Sequence, residues 1–138
     1  AYGAECVITP SGIEPDDPRS YLMVAKRILK ENPSYFHANQ FDNPDNPMSH
    51  YRTTGPEVWE QMGSALDVLV GGAGTGGTVS GTGKFLHEKN PQLKVVLADP
   101  RGSILFDLFY HGRIIEGAKP YKVEGVGEDM LPFNVQLE

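Results

Sequence analysis

An α/β fold, mostly parallel strands with helices on both faces, is predicted from three features of the 138-residue sequence. Apolar runs of strand length at 66–71 and 94–98 are followed by helix-like segments at 77–89 and around 103–110. Strands separated by helical crossovers pair in parallel and carry the helices on their faces. Between the first run and its helix stands a glycine-rich loop, GGAGTGGTVSG at 71–81. Strand, glycine loop and helix start together present several backbone N–H groups to a phosphate. The 39% hydrophobic content supplies one modest core of ordinary soluble type.

The elements follow in order. Residues 5–9 read as a strand stopped by Pro10, with Cys6 as a buried, inert thiol. After a proline-rich loop, Asp17 is the expected cap of a helix with Pro18 at its first position. That helix runs to about Glu31, where Asn32-Pro33 ends it, and its apolar stripe is Leu22, Ala25, Ile28 and Leu29, supported by Tyr21 and Val24. Residues 35–38 read as a short strand. From 39 to 51 asparagines alternate with Pro44 and Pro47, which predicts a polar loop. Thr54 and Glu57 form a capping-box pair for a helix over 55–62. A last strand is expected over 121–126.

Bulk properties exclude several functions. The formal charge is −6 with acids and bases interspersed, which argues against a nucleic-acid surface or an anionic membrane as partner. A single cysteine forms neither an internal disulfide nor a thiolate metal cluster, and implies a reducing, cytoplasmic setting. No apolar stretch is of membrane-spanning length. The chain opens without a basic leader or initiator methionine, so it is expected to be part of a longer protein.

Ligands of open parallel sheets gather at the carboxyl ends of strands. Three segments fall there: the glycine loop, residues 99–103, and residues 124–129. The glycine loop lacks the Gly-Lys-Ser/Thr ending of a nucleotide-triphosphate loop, since Gly83-Lys84 runs into Phe85. A dinucleotide register places its glycines on Gly72, Gly74 and Gly77, with Asp99 as the later acid. A small phosphorylated cofactor, a dinucleotide and a plain packing turn all remain open on the residues. Asp99 reads as a cap for the helix beginning near Ser103, with ribose binding as its alternative. Gly125 and Gly127 suggest backbone brought close to something flat, or a tight turn. Glu128 and Asp129 read as a solvated loop rather than paired catalytic acids. His37, His50, His87 and His111 have no metal-site spacing.

The glycine segment with its flanks, LVGGAGTGGTVSGTGKFL, resembles the phosphate loop of the tryptophan synthase β, or fold-type II, family of pyridoxal-phosphate enzymes. GAECVITP at 3–10, NQFDNPDNPMSHYRTTGPEVWEQM at 39–62, ADPRGSIL at 98–105 and YKVEGVGEDMLP at 121–132 carry the resemblance along the chain. Asp99-Pro100 and the 124–127 segment resemble the cystathionine β-synthase branch more than its sister, cysteine synthase. The resemblance implies an incomplete central fragment of a two-domain catalytic region. Residues 1–46 would belong to the smaller, mobile domain, 47–55 to the crossing and 56–138 to the larger, cofactor-binding domain.

Carried over by position, Gly74, Thr75, Gly76, Gly77 and Thr78 would hold the phosphate of pyridoxal 5'-phosphate, Gly125 would pass its ring, and Gln40 would lie near the substrate carboxylate. A tyrosine of human-type enzymes is replaced by Glu128. No catalytic residue or metal ligand is carried over. The Schiff-base lysine is expected upstream of Ala1, and Lys84 and Lys119 read as surface lysines. The implied activity is condensation of L-serine and L-homocysteine to L-cystathionine, in transsulfuration and cysteine biosynthesis, by a homodimer or homotetramer. The alternatives are a cysteine synthase using O-acetylserine and sulfide, and a non-catalytic fragment lacking its lysine.

Overall fold

Residues 2–63 and 65–136 are described by a computed structural model. Residues 137 and 138, assigned by sequence to the larger domain, lie outside the described residues. The chain divides into two compact units, Ala1–Ala38 and Asn39–Glu138.

Among the described residues the first unit contains one helix, α1 (Tyr21–Glu31). Its cap is Ser20, whose Oγ accepts the Met23 N–H at 3.2 Å. The expected cap, Asp17, accepts instead from the backbone N–H and guanidinium of Arg19 at 2.8–3.0 Å. Asp17-Pro18-Arg19 thus forms a turn before the helix, closed by the Ser20 N–H on the Asp17 carbonyl. Val24 is the buried residue of the predicted stripe. The strands expected at 5–9 and 35–38 are absent: both segments are irregular and exposed, and Cys6 is exposed rather than buried. A strand is stabilised by the ladder it pairs into, and the described residues of this unit contain no second strand.

The second unit begins with α2 (Asp45–Arg52) and α3 (Thr54–Gln61). The polar loop expected over 39–51 is therefore half helix. Asn43 Oδ1 accepts the Asp45 N–H at 3.0 Å, and Pro47 falls in the first turn, where a missing N–H costs no helical bond. The capping box at Thr54 and Glu57 does not form. Helix α3 follows α2 after Thr53 alone, whose hydroxyl donates back to the Ser49 carbonyl at 2.9 Å.

Next come β1 (Val68–Gly71), α4 (Gly77–Lys89), β2 (Lys94–Leu97) and α5 (Leu105–His111). The strands pair in parallel with Val68 opposite Lys94 and Gly71 opposite Leu97, as the crossover pattern predicts. A Cβ on Gly83 would lie 3.1 Å from Val95 and 3.8 Å from Leu69, so α4 packs closely on one face of the pair. Val70 and Val96, cross-strand partners on the opposite face, are exposed. Ala73, Leu105 and Val135 form a buried cluster with Val79 and Leu97 against it. The strand expected over 121–126 is absent, and that segment runs as irregular backbone and turns. No helix among the described residues is long and apolar enough to cross a membrane.

Helix α4 carries Gly77, Gly81 and Gly83, each costing about 1 kcal/mol of helix propensity relative to Ala. Its contact with α2 explains two of them: a Cβ on Gly77 would overlap the Asn46 amide, and one on Gly81 would overlap the Pro47 carbonyl. Gly81→Ala is expected to destabilise the intact protein by about 1–3 kcal/mol despite its better propensity, because backbone must move. Urea unfolding checks this; a stabilised variant would show that α2 does not press on α4.

Candidate functional site

The glycine loop leaves β1 at Gly71 and enters α4 through Gly76, its N-cap, which has φ +80°. That left-handed conformation favours glycine, and a Cβ there would also meet Val135 backbone atoms at 2.9–3.0 Å. The tight constraint on Gly76 is thus packing against Val135. With no side chain on its N-cap, α4 offers its first-turn N–H groups, carrying the positive end of the helix dipole, to a ligand.

A cavity of about 390 Å³ opens over this helix start, lined by Gln40, Phe41, Gly72, residues 74–78, Gly125 and Glu128. Every candidate binding residue from the sequence, Gln40, Gly74, Thr75, Gly76, Gly77, Thr78 and Gly125, lies on its wall. The opposing wall is held close: a Cβ on Gly74 would lie 2.8 Å from the Gly125 oxygen and 3.5 Å from Glu128 Oε1. The Gly127 N–H donates to the Ala73 carbonyl at 2.7 Å. Glu128 N–H donates to Ser103 Oγ at 3.0 Å, and its carbonyl accepts the Ile104 N–H at 3.0 Å. Residues 125–128 are therefore pinned between the glycine loop and the entry to α5.

Sequence reasoning missed three contributors. Asn46 Nδ2 donates to the Gln40 carbonyl at 2.7 Å and to Thr75 Oγ1 at 2.9 Å. Buried Asn134 donates to the carbonyls of Gln40 and Asn43 at 2.9 and 3.1 Å, fixing the backbone from which the Gln40 side chain projects. His50 bridges Thr54 and Thr78. Asn46 and His50 reach Thr75 and Thr78 across 29 and 28 positions, and Asn134 reaches Gln40 across 94, separations that no local pattern signals.

Glu128 corrects the solvated-loop reading of 128–129. Its carboxyl is half-buried in the cavity wall, and loss of solvation, with a smaller contribution from the Asp129 charge, pushes its pKa up to about 7. Asp99 Oδ2 accepts the Phe106 N–H at 3.0 Å in the first turn of α5, so this acid does cap. Lys84 and Lys119 are exposed and absent from the cavity wall.

A helix start without a side-chain cap, close-packed glycines and two threonine hydroxyls around one cavity suit a phosphate group, which carries charge and only accepts hydrogen bonds when fully ionised. The sequence matches the family described as pyridoxal-phosphate dependent enzyme over residues 1–138. The chain belongs to that family. It is 41% identical over 132 residues to a cystathionine β-synthase of Apis mellifera, covering 96% of this chain and 26% of the relative. A Staphylococcus aureus cysteine synthase is 37% identical over 141 residues, covering 100% of this chain and 41% of the relative. Among solved structures, the O-acetylserine-dependent cystathionine β-synthase from Helicobacter pylori aligns with a TM-score of 0.70 and 33% identity, covering 79% of this chain and 33% of that one. The chain spans about a quarter of the length of the cystathionine β-synthases it matches.

The raised Glu128 pKa fixes the sign of a pH effect. Between about 4.5 and 7 the folded state holds a proton that the unfolded state has lost, so this group's contribution to stability falls as pH rises through that window and levels off above it. Carbon-detected NMR of the Glu128 carboxyl should show a midpoint near 7, and Glu128→Gln should remove that part of the pH slope. A midpoint near 4.5 would show the carboxyl to be solvated.

Proposed function

We propose that the intact protein is a pyridoxal-phosphate-dependent enzyme of β-replacement that joins L-serine and L-homocysteine as L-cystathionine. The observation that carries this reading is the meeting of Gln40, residues 74–78 and Gly125 around one cavity, in a chain 41% identical to a cystathionine β-synthase. When bound, pyridoxal phosphate supplies the electron sink that lets a substrate lose its α proton and its β substituent.

The chain's own residues bind and orient. Backbone N–H groups at the start of α4 and the hydroxyls of Thr75 and Thr78 hold the phosphate. The Gly125 backbone flanks the ring, and the Gln40 amide holds a substrate carboxylate. Glu128, protonated over part of the population near neutral pH, faces this anionic site with less repulsion than a fully ionised carboxylate would. The lysine that anchors the cofactor is assigned to chain outside residues 1–138. Of the division expected from the sequence, with a smaller, mobile domain over 1–46, a crossing over 47–55 and a cofactor domain over 56–138, we keep residues 1–38 as the part that excludes water on closing, since residues 39–46 belong to the second unit and carry Gln40 and Asn46. The assembly is a homodimer or homotetramer working in the cytoplasm.

A second reading takes O-acetylserine in place of serine. The likeness to the Helicobacter pylori O-acetylserine-dependent enzyme and to cysteine synthases favours it. Turnover of the cofactor-loaded protein with serine plus homocysteine, O-acetylserine plus homocysteine, and O-acetylserine plus sulfide separates the possibilities. Cystathionine from serine is the expected result; a strong preference for O-acetylserine supports the second reading, and no cystathionine from either donor overturns the assignment.

Thr78→Ala tests the phosphate grip. Loss of one donor to a charged, desolvated phosphate should weaken cofactor binding by about 10- to 150-fold, the equivalent of roughly 1.5–3 kcal/mol. Equilibrium titration of the intact variant checks this, and unchanged affinity would place the phosphate elsewhere.

A further inference from the structure

Helix α2 presents Asn46 and His50, one turn apart on the same face, to the start of α4. Each meets a threonine hydroxyl on the cavity wall. Asn46 Nδ2 lies 2.7 Å from the Gln40 backbone oxygen and 2.9 Å from Thr75 Oγ1. A carbonyl oxygen only accepts, so the Gln40 contact fixes the amide with its nitrogen toward both partners. Thr75 Oγ1 therefore accepts from Asn46, and its own hydrogen remains available for another acceptor.

His50 makes the matching bridge on the next turn. Its Nδ1 is 2.9 Å from Thr54 Oγ1, and its Nε2 is 3.1 Å from Thr78 Oγ1. A neutral imidazole has one donor and one acceptor nitrogen, so two arrangements satisfy these contacts. In one, Thr54 donates to Nδ1 and Nε2–H donates to Thr78, leaving the Thr78 hydrogen free. In the other, Thr78 gives its hydrogen to Nε2 and has none for a ligand. A phosphate dianion has no proton to offer, so only the first arrangement lets Thr78 bind it.

We propose that Asn46 and His50 are positioning residues of the phosphate site. By donating to Thr75 and Thr78 they leave both hydroxyls as donors for the cofactor phosphate, and phosphate binding selects the His50 form protonated at Nε2. The inference rests on the reading that residues 74–78 hold that phosphate. The closeness of α2 to α4 is what permits it: the absent side chains of Gly77 and Gly81 are the space that Asn46 and Pro47 occupy.

The test uses the intact protein and two probes, pyridoxal phosphate and pyridoxal without the phosphate. His50→Leu should weaken pyridoxal phosphate binding about tenfold while changing pyridoxal binding little. His50→Gln, whose amide nitrogen takes the place of Nε2, should restore affinity to within about threefold of the natural protein. His50→Leu combined with Thr78→Ala should be no worse than Thr78→Ala alone, because His50 acts on the phosphate only through the Thr78 hydroxyl. Ring-nitrogen NMR of the pyridoxal phosphate complex should find His50 protonated at Nε2.

Equal losses for both probes, additive losses in the double variant, or an unprotonated Nε2 in the complex would overturn the positioning role. If Thr78→Ala itself leaves pyridoxal phosphate binding unchanged, the phosphate-site reading falls with it. If Thr78→Ala weakens binding and His50→Leu does not, only the role of His50 falls. The glutamine variant and the NMR measurement decide the matter even where the leucine variant folds poorly.

Discussion

The close approach of α2 to α4 is the constraint on which the second unit depends. Gly77 and Gly81 stand one turn apart on α4 and give up helix propensity so that α2 backbone and Asn46 can occupy the space of their side chains. Separating the helices by one methyl group would break the Asn46 contacts to Thr75 and Gln40 and the His50 contact to Thr78. A packing choice at two glycines thereby sets the geometry of polar groups at the helix start. The same glycines look, in the sequence, like phosphate-loop residues. The structure gives at least part of their number a different reason, helix-on-helix contact.

That double use explains why so much glycine is concentrated here. Gly72 approaches Val126, Gly74 approaches the Gly125 carbonyl, and Gly76 turns through a positive φ beneath Val135. Gly72 and Gly74 admit residues 125–126 and Gly76 admits Val135, and the cavity is lined by Gln40, Phe41, Gly72, residues 74–78, Gly125 and Glu128. The backbone carbonyl of Gln40 receives two amide donors, from Asn46 and Asn134. Charge-neutral amide contacts, rather than ion pairs, thus hold the rim of a site that offers positive backbone dipoles to an anion.

Residues whose structure is decided locally were legible in the sequence. The apolar run, the glycine loop and the helix to Lys89 carry their own signals, and α4 spans the expected 77–89 while β1 and β2 fall within the expected runs. Helix α2 was hidden because asparagine and proline usually mark loops. Here Pro47 sits in the first turn, where it is tolerated, and tertiary contact with α4 supports the rest. The expected strands at 5–9, 35–38 and 121–126 failed for a related reason: extended propensity says nothing of whether a neighbouring ladder exists. Cavity residues with sequence signatures, such as Thr75 and Gly125, could be named in advance. The contacts of Asn46 to Thr75, His50 to Thr78 and Asn134 to Gln40 span distant positions, which no local pattern encodes.

Glu128 illustrates how such distant contacts change chemistry. By sequence, Glu128-Asp129 is a polar pair in a glycine-bearing turn. Three hydrogen bonds, from Gly127 N–H to the Ala73 carbonyl, Glu128 N–H to Ser103 Oγ and Ile104 N–H to the Glu128 carbonyl, draw the turn against the glycine loop and carry the Glu128 side chain into the cavity wall. Removal from water then raises its pKa to about 7, with the neighbouring Asp129 adding to the shift. An ionised carboxylate facing a helix start that suits an anion would oppose ligand binding, whereas a neutral carboxyl brings an O–H group instead. The resemblance to human-type enzymes places a tyrosine at this position, and a phenol is likewise a neutral O–H donor near pH 7. Size and aromaticity differ between the two residues, but over part of the population near neutral pH their hydrogen-bonding character coincides. Burial thus reduces the charge that Glu128 presents to the cavity in proportion to its protonated fraction.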